Sequence, residues 1–256
     1  MKYSPHNDLT PHDVFYFWSS TNNNVYMLQH LKRRLIALAD YLRYRRSYAQ
    51  DGEDMVFLSF YEGAKGYKGF YVDVGAHHPV RFSNTMALYQ RGWRGINIDP
   101  TPGSMLPFRW LRPRDINLEI AIGKNSGKAT FFCFNEPALN TFDEETARLH
   151  LQNSRYYIKK TIEVTIEPLC AVLQKYLPAN QTIDLLTIDV EGLDLQVLQS
   201  NDWSKYSPSF VMVEDINFSI ENCNLSETYC FLRRCGYELV AVMKRSLLFR
   251  KNRASF

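Results

Sequence analysis

Several features that would assign a chain to a specialised class are missing from this sequence. Its five cysteines are odd in number and form no CxxC pair, which argues against a disulfide framework and favours a reduced, cytoplasmic setting. No apolar run is long enough to cross a membrane, and none follows a charged N-terminus, so we expect neither a transmembrane segment nor a secretory signal. The net charge of +3 is too small to indicate nucleic-acid binding.

The charge that is present is unevenly distributed. Residues 32–46 contain six Lys or Arg side chains and one acid, Asp40. Leucines recur every three or four residues through the same stretch, which predicts an amphipathic helix over residues 25–46 after an irregular arm. The basic stripe is either a solvated face or a surface for an anionic headgroup, nucleotide-sugar or phosphate, so peripheral membrane contact through this helix is one expectation.

Beyond residue 46 the pattern alternates between buried strands and helices. This alternation predicts an α/β fold, a Rossmann-like doubly wound and mostly parallel sheet with an antiparallel edge strand. Asp51 is predicted to cap the first helix of this part. The predicted strands cover residues 69–75, 95–99, 116–122, 128–134, 160–166, 183–189, 210–214, 237–243 and 247–251. The predicted helices cover residues 55–61, 84–91, 168–177, 193–199 and 226–235, with a short one after residue 102.

Acidic residues end four of the predicted strands. Ligands of open parallel sheets bind beyond the carboxyl ends of the strands, so acids collected there predict a functional site. A single such acid is often only a structural cap, but four on one edge are harder to explain that way. They are Asp73, Asp99, Asp189 followed by Glu191, and Glu214 followed by Asp215.

Glycine is scarce where a dinucleotide would need it. Gly75 follows the first strand alone, and the next glycine is Gly92, whereas a dinucleotide fingerprint needs three close glycines. This disfavours NAD and FAD and leaves a nucleotide-dependent oxidoreductase as an alternative. A cofactor with an amino acid and an adenosine suits the acids better, because Asp99 can accept hydrogen bonds from both ribose hydroxyls. A cap before Pro100 is the alternative role for Asp99.

Four ordered motifs carry a resemblance to a known family. The runs SYAQDGED, VDVGAHHPVRFSNT, RGWRGINIDPTPGS and DLLTIDVEGLDLQVL resemble the FkbM-type methyltransferases, which are class I S-adenosylmethionine-dependent O-methyltransferases. The resemblance covers roughly residues 47–250. It implies a methyltransferase domain over residues 47–256, following an N-terminal arm and basic amphipathic helix over residues 1–46. It also implies methyl transfer to a sugar hydroxyl of a glycan, glycolipid or glycosylated metabolite; a non-catalytic binding protein with this fold is an alternative.

The resemblance also implies which residues bind S-adenosylmethionine. Asp99 matches the ribose-binding acid, although many relatives carry the longer Glu at this position. The remaining matches are Asp73, Gly75 and Ala76 at the methionyl part, Glu119 and Ala121 at the adenine, and Ser83, Asn84, Gln50 and Glu53 in segments that close over the methionine end.

The same resemblance places the reaction beside the DxEG motif, Asp189 and Glu191. A sugar hydroxyl must be deprotonated by a base or a bound metal before it attacks. His77 and His78 are both candidates for the base, for a cofactor or acceptor contact, or for a turn without chemistry. We expect one of the two at the reaction centre, because adjacent histidines after a strand point in different directions.

A magnesium ion is the other route to deprotonation. Asp189, Glu214 and Asp215 lie at neighbouring strand ends and supply the oxygen ligands that Mg²⁺ prefers. Alternatively, Asp189 and Glu191 orient the acceptor by hydrogen bonds. The segment 135–142 has the composition of an exposed recognition loop or of a surface crossover. The sequence leaves the acceptor unidentified and is compatible with a homo-oligomer.

Overall fold

A computed structural model describes residues 26–38 and 46–252, and the chain divides into two compact units, Met1–Arg46 and Ser47–Phe256. In the first unit the structure describes one helix, α1, over residues 26–38, with every side chain exposed. The predicted irregular arm, and the part of the predicted helix over residues 39–45, lie outside the described residues.

The second unit is built around a seven-stranded sheet with the strand order β3-β2-β1-β7-β8-β10-β9. The first five strands in that order are parallel, and β10 is antiparallel to both of its neighbours. This confirms the predicted α/β class and the mostly parallel sheet. The strands are β1 (Phe70–Val74), β2 (Arg94–Ile98), β3 (Ile116–Leu118), β7 (Leu185–Ile188), β8 (Phe210–Glu214), β9 (Tyr237–Val242) and β10 (Ser246–Lys251).

Helices follow the strands and cover both faces of the sheet. In β1, Val72 and Val74 belong to one buried cluster and Tyr71 to another, because successive side chains of a strand point to opposite faces. All five residues of β1 are buried, as expected for a central parallel strand. The helices are α2 (Glu53–Ser59), α3 (Met86–Gln90), α4 (Met105–Leu111), α5 (Glu144–Leu151), α6 (Leu169–Tyr176), α7 (Asp194–Gln199) and α8 (Glu227–Arg234).

The predicted single strand over residues 116–122 is wrong, because the chain there changes sheet. Leu118 forms the last pairs of β3 with β2, and its carbonyl accepts from the Asp99 amide at 3.1 Å. Pro100, which follows Asp99, has no N–H with which to extend the hydrogen-bond ladder between β2 and β3. The next strand instead joins a separate three-stranded sheet made of β4 (Ala121–Ile122), β5 (Gly127–Phe134) and β6 (Ile158–Glu167).

A buried guanidinium joins the elements beneath the first strand end. Arg112, directly after α4, is 0% exposed, and its Nη2 donates to Tyr71 Oη and Thr85 Oγ1, both at 2.7 Å. Its Nε donates to Asp115 Oδ2 at 3.0 Å. Thr85 Oγ1 in turn donates to Asp73 Oδ2 at 2.6 Å. The network therefore ties β1 to the N-terminus of α3 and to the loop after α4.

Replacing Arg112 should destabilise the fold strongly. We expect Arg112→Met to lower the free energy of unfolding by about 3–5 kcal/mol, because it leaves the buried Asp115 carboxylate without its cation. Urea unfolding measures the change. Arg109→Met, at an exposed position of α4, should change the free energy of unfolding by no more than about 0.5 kcal/mol. Equal losses in the two variants would contradict this account of the network.

Candidate active site

A cavity opens at the carboxyl ends of β1, β2 and β7. One side is formed by the residues at these strand ends: Val74, Gly75, Ile98, Asp99, Asp189 and Glu191. The other side comes from the small sheet and the segment after β5, including Phe131, Asn140 and Phe142. The cavity thus lies between the edge of the large sheet and the three-stranded sheet.

Gly75 allows two strand ends to meet at this cavity. It has a φ of 84°, and a Cβ atom at this position would lie 1.7 Å from the backbone carbonyl oxygen of Asp189. Such a contact is impossible, so any side chain here would push apart the loops that follow β1 and β7. The lone glycine of the sequence motif is therefore required by the close approach of two backbones.

Strained backbone is concentrated around the same cavity. Among the described residues, four non-glycine residues have positive φ, and three of them line the cavity: His77 at 50°, Phe82 at 56° and Glu191 at 54°. Each such conformation costs about 1–3 kcal/mol and persists only where the surroundings enforce it. Their clustering makes this cavity the candidate functional site.

Asp99 is a buried carboxylate at the cavity wall. Its Oδ1 accepts from the Thr101 amide at 2.8 Å and its Oδ2 from the His77 amide at 3.1 Å. Burial raises the pKa of Asp99, and the hydrogen bonds from Thr101 act in the opposite direction. Ile120 and Ile122 line the same cavity. A hydrogen-bond acceptor beside an apolar wall suits a nucleoside.

The other residues predicted to bind the cofactor divide into those at the cavity and those beneath it. Gln50 and Gly75 line it together with Asp99. The other predicted residues of the SYAQDGED and VDVGAHHPVRFSNT motifs lie behind the lining. Asp73 accepts from Thr85, Ala76 is buried, Ser83 accepts from the Met86 amide, Asn84 donates to Thr187, and Glu53 accepts from the Asp51 amide.

The structure does not bring Glu119 and Ala121 into the cavity. Glu119 is exposed and its Oε2 accepts from the Gly103 amide at 2.9 Å, whereas Ala121 is fully buried. Ile120 and Ile122 line the cavity instead. Because side chains of an extended chain alternate, an offset of one residue exchanges the lining positions for those that face away.

The two histidines occupy different environments. His78 Nδ1 accepts from the amides of Val80 and Arg81 at 3.1 and 3.0 Å, which closes a turn. His77 lines the cavity, and its buried Nε2 has no hydrogen-bond partner among the described residues. Burial, followed by the charge of Arg81, lowers the pKa of both imidazoles. His77 is therefore a neutral imidazole at pH 7 whose Nε2 is buried without a partner among the described residues.

Carboxylates crowd the end of β7. Burial and then the charge of Asp194 raise the pKa of Glu191 to about 7. Burial and the neighbouring Glu191 raise the pKa of Glu214 to about 8, and burial and Glu214 raise that of Asp189 well above its usual range. Asp194 holds the loop by accepting from the Val190 and Gly192 amides at 3.1 and 3.2 Å. Glu191 and Glu214 can therefore exchange protons near neutral pH.

The predicted metal ligands do not form a metal site. Glu214 and Asp215 line a second cavity between α7 and α8, which Asp189 does not line. Asp215 is engaged elsewhere, because its Oδ2 accepts from Ser226 Oγ at 2.6 Å beside the N-terminus of α8. Within residues 26–38 and 46–252, no three His, Cys, Asp or Glu side chains are arranged to hold a metal ion.

One functional residue was missed by the sequence analysis. Arg245, in the turn between β9 and β10, donates from Nε to Asp51 Oδ2 at 3.1 Å, so Asp51 is not the helix cap predicted above. With the Gln50 amide oxygen turned toward the guanidinium, Nη1 and Nη2 donate to it at 2.6 and 2.9 Å. Arg245 also lowers the pKa of Glu191 and Glu214.

The raised carboxylate pKa values make a prediction about stability. Glu191 and Glu214 bind protons more tightly in the folded chain than in the unfolded chain, so their contribution is lost as pH rises through about 7 and 8. Above the titration range of histidine, we expect the unfolding temperature to fall between pH ~7 and ~9. Thermal unfolding across this range measures it. Glu214→Gln should flatten the slope and the exposed Glu145→Gln should not; a rising unfolding temperature would contradict the assignment.

Comparison with known proteins agrees with this geometry. The chain matches the family described as the Methyltransferase FkbM domain over residues 73–239. This region contains the carboxyl end of β1 and all of β2, β7 and β8, and it includes the strand ends and the small sheet that enclose the cavity. A comparison with curated proteins finds no match. The match covers well over half of the sequence, and the chain belongs to the FkbM family of methyltransferases.

Proposed function

We propose that the protein transfers a methyl group from S-adenosylmethionine to a hydroxyl of a sugar in a glycan, glycolipid or glycosylated metabolite. One observation carries the proposal: a single cavity combines a buried acceptor, Asp99, beside an apolar wall with two carboxylates, Asp189 and Glu191, whose pKa values are raised. The buried acceptor and the apolar wall suit an adenosine, and the two carboxylates suit a hydroxyl that must lose its proton.

The residues present fit the cofactor. The Asp99 carboxylate lines the cavity and accepts from the Thr101 and His77 amides. A carboxylate offers about four lone-pair sites, so Asp99 can also accept from a ribose hydroxyl. Ile120 and Ile122 supply the apolar surface for a flat base, and Gly75 and Gln50 would hold the methionine end.

The chain's own groups prepare the acceptor for attack. S-adenosylmethionine supplies a methyl group on a positively charged sulfur, and transfer is an in-line displacement that depends on alignment. Glu191, with a pKa of about 7, accepts the hydroxyl proton, since a base works best when its pKa is near the operating pH. Asp189 orients the acceptor by hydrogen bonding, and the imidazole of His77, which also lines the cavity, supplies a second contact.

The small sheet supports a carbohydrate-containing acceptor. Phe131 and Phe142 line the cavity with ring centroids 4.5 Å apart, and aromatic faces are suitable surfaces for the apolar side of a sugar ring. Pro137, Ala138 and Asn140, in the segment predicted as a recognition loop, line it too. The side of the cavity formed by the small sheet thus offers contacts that recognise the shape of the acceptor. The strand ends on the opposite side carry the charged groups.

Cofactor affinity tests the first half of the proposal. We expect S-adenosylmethionine to bind, and Asp99→Ala to weaken binding roughly 10–100-fold because a buried acceptor is lost. Arg245→Ala should weaken it about tenfold by releasing Gln50 from its charge-assisted hydrogen bonds. Calorimetric titration measures both.

The control for Arg245 is Arg250→Ala in β10, which removes an ion pair to Glu238 remote from the cavity lining. It should leave affinity unchanged. Failure of the unaltered protein to bind the cofactor would overturn the proposal, and equal effects of the two arginine variants would remove Arg245 from it.

Turnover tests the second half. Glu191→Gln should lower kcat about 10²–10⁴-fold, because the base is lost while shape is retained, and cofactor affinity should stay within about threefold. The assay follows radiolabelled methyl transfer into purified polysaccharides and glycolipids, with mass spectrometry of the methyl ether. Glu145→Gln, exposed on α5, is the matched control. Full activity of Glu191→Gln would rule Glu191 out as the base.

A further inference from the structure

Helix α1 carries a continuous apolar face. At 100° per residue, five large side chains fall within an arc of about 100°. Each is more than half exposed: Met27 65%, Leu28 62%, Leu31 54%, Leu35 58% and Leu38 54%. A stable helix in water buries such a face, so this face has a partner.

The borders of this face carry one sign of charge. By the same helical geometry, Lys32 lies along one side of the apolar arc and Arg34 along the other, with Arg33 on the opposite surface. Residues 26–38 contain no Asp or Glu. The partner therefore combines an apolar interior with a negatively charged surface.

We propose that α1 is a membrane-surface helix that lies in the plane of a bilayer containing anionic lipids. This inference is independent of the reaction proposed above. Interfacial helices place an apolar face among the acyl chains and keep basic residues at the headgroups. Lys32 and Arg34 are placed to extend their long side chains from the edges of the buried face toward the phosphates.

The composition of α1 favours an orientation in the plane of the membrane. Its Lys32, Arg33 and Arg34 side chains would be costly to place in the hydrocarbon core of a bilayer. No helix in the described part of the chain is long and apolar enough to cross a membrane. The five apolar side chains of the arc share one side of α1, which suits a helix lying flat, and Tyr26 and Ile36 lie outside this arc.

A second copy of the chain is the competing partner. The spacing of Leu28, Leu31 and Leu35 would also fit the seam of a coiled coil. In that arrangement Lys32 and Arg34 would border the seam on both helices, with no acid on α1 to pair with them. The charges favour the anionic lipid.

Vesicle flotation with the full chain tests the proposal. We expect the protein to float with vesicles of phosphatidylcholine containing about one third phosphatidylglycerol, and much less with phosphatidylcholine alone. Raising the salt concentration from about 0.1 M to about 1 M should weaken the binding, because the attraction is screened.

Two double variants separate the apolar and charged contributions. Leu31→Glu with Leu35→Glu should abolish flotation, and Lys32→Ser with Arg34→Ser should weaken it roughly thirtyfold. Leu149→Glu, a change at a 57% exposed leucine of α5, is the matched control and should bind normally. All variants should share the unfolding temperature of the parent chain, which shows that lost binding is not lost folding.

Equal binding to neutral and anionic vesicles would overturn the proposal, as would normal flotation of both double variants. Analytical ultracentrifugation distinguishes the competing partner. A dimer that Leu31→Glu with Leu35→Glu converts to a monomer, in a chain that does not float, would assign the face to a second copy instead.

Discussion

The site depends on a positive charge that has no access to water. Arg112 would be costly to bury alone, and it is accommodated because every side of its guanidinium meets a partner: Asp115, the hydroxyls of Tyr71 and Thr85, and aromatic rings including Phe108, 5.2 Å away. Through Thr85 the same charge reaches Asp73. The loop after β1 therefore rests on a rigid polar base, and the positive φ of His77 can be maintained there.

On the opposite side of the cavity, carboxylates are crowded together at the end of β7 and repel one another. Parallel strands direct their carboxyl ends to one edge, and the chain places an acid at several of those ends. Burial and repulsion raise the pKa of Asp189 and keep Glu191 and Glu214 close to protonation at neutral pH. Arg245 relieves part of this repulsion while it holds the loop that contains Gln50 and Asp51. The carboxylates thus remain able to take up and release protons.

Local sequence patterns were sufficient for the fold and insufficient for the details of the site. Strand and helix periodicities depend on neighbours in the chain, so β1, β7 and the helices after them could be predicted. Whether Glu119 or Ile120 faces the cavity depends on one residue of register. The proposed metal set failed because Asp215 turns toward Ser226, a side-chain direction that spacing does not encode. Arg245 contacts Asp51 across 194 positions, beyond the reach of any local pattern.

The three-stranded sheet has a consequence for how this family can diversify. Its ladder is formed within residues 121–167, between segments of the chain that leave and rejoin the large sheet. Thr141 connects it to the reaction side by donating to the Glu191 carbonyl at 3.2 Å. Mutations in the small sheet can reshape the cavity wall around Phe131 and Phe142 while the parallel strands that precede Asp99 and Asp189 stay unchanged. Selection can thus exchange one acceptor for another without rebuilding the machinery that holds the methyl donor.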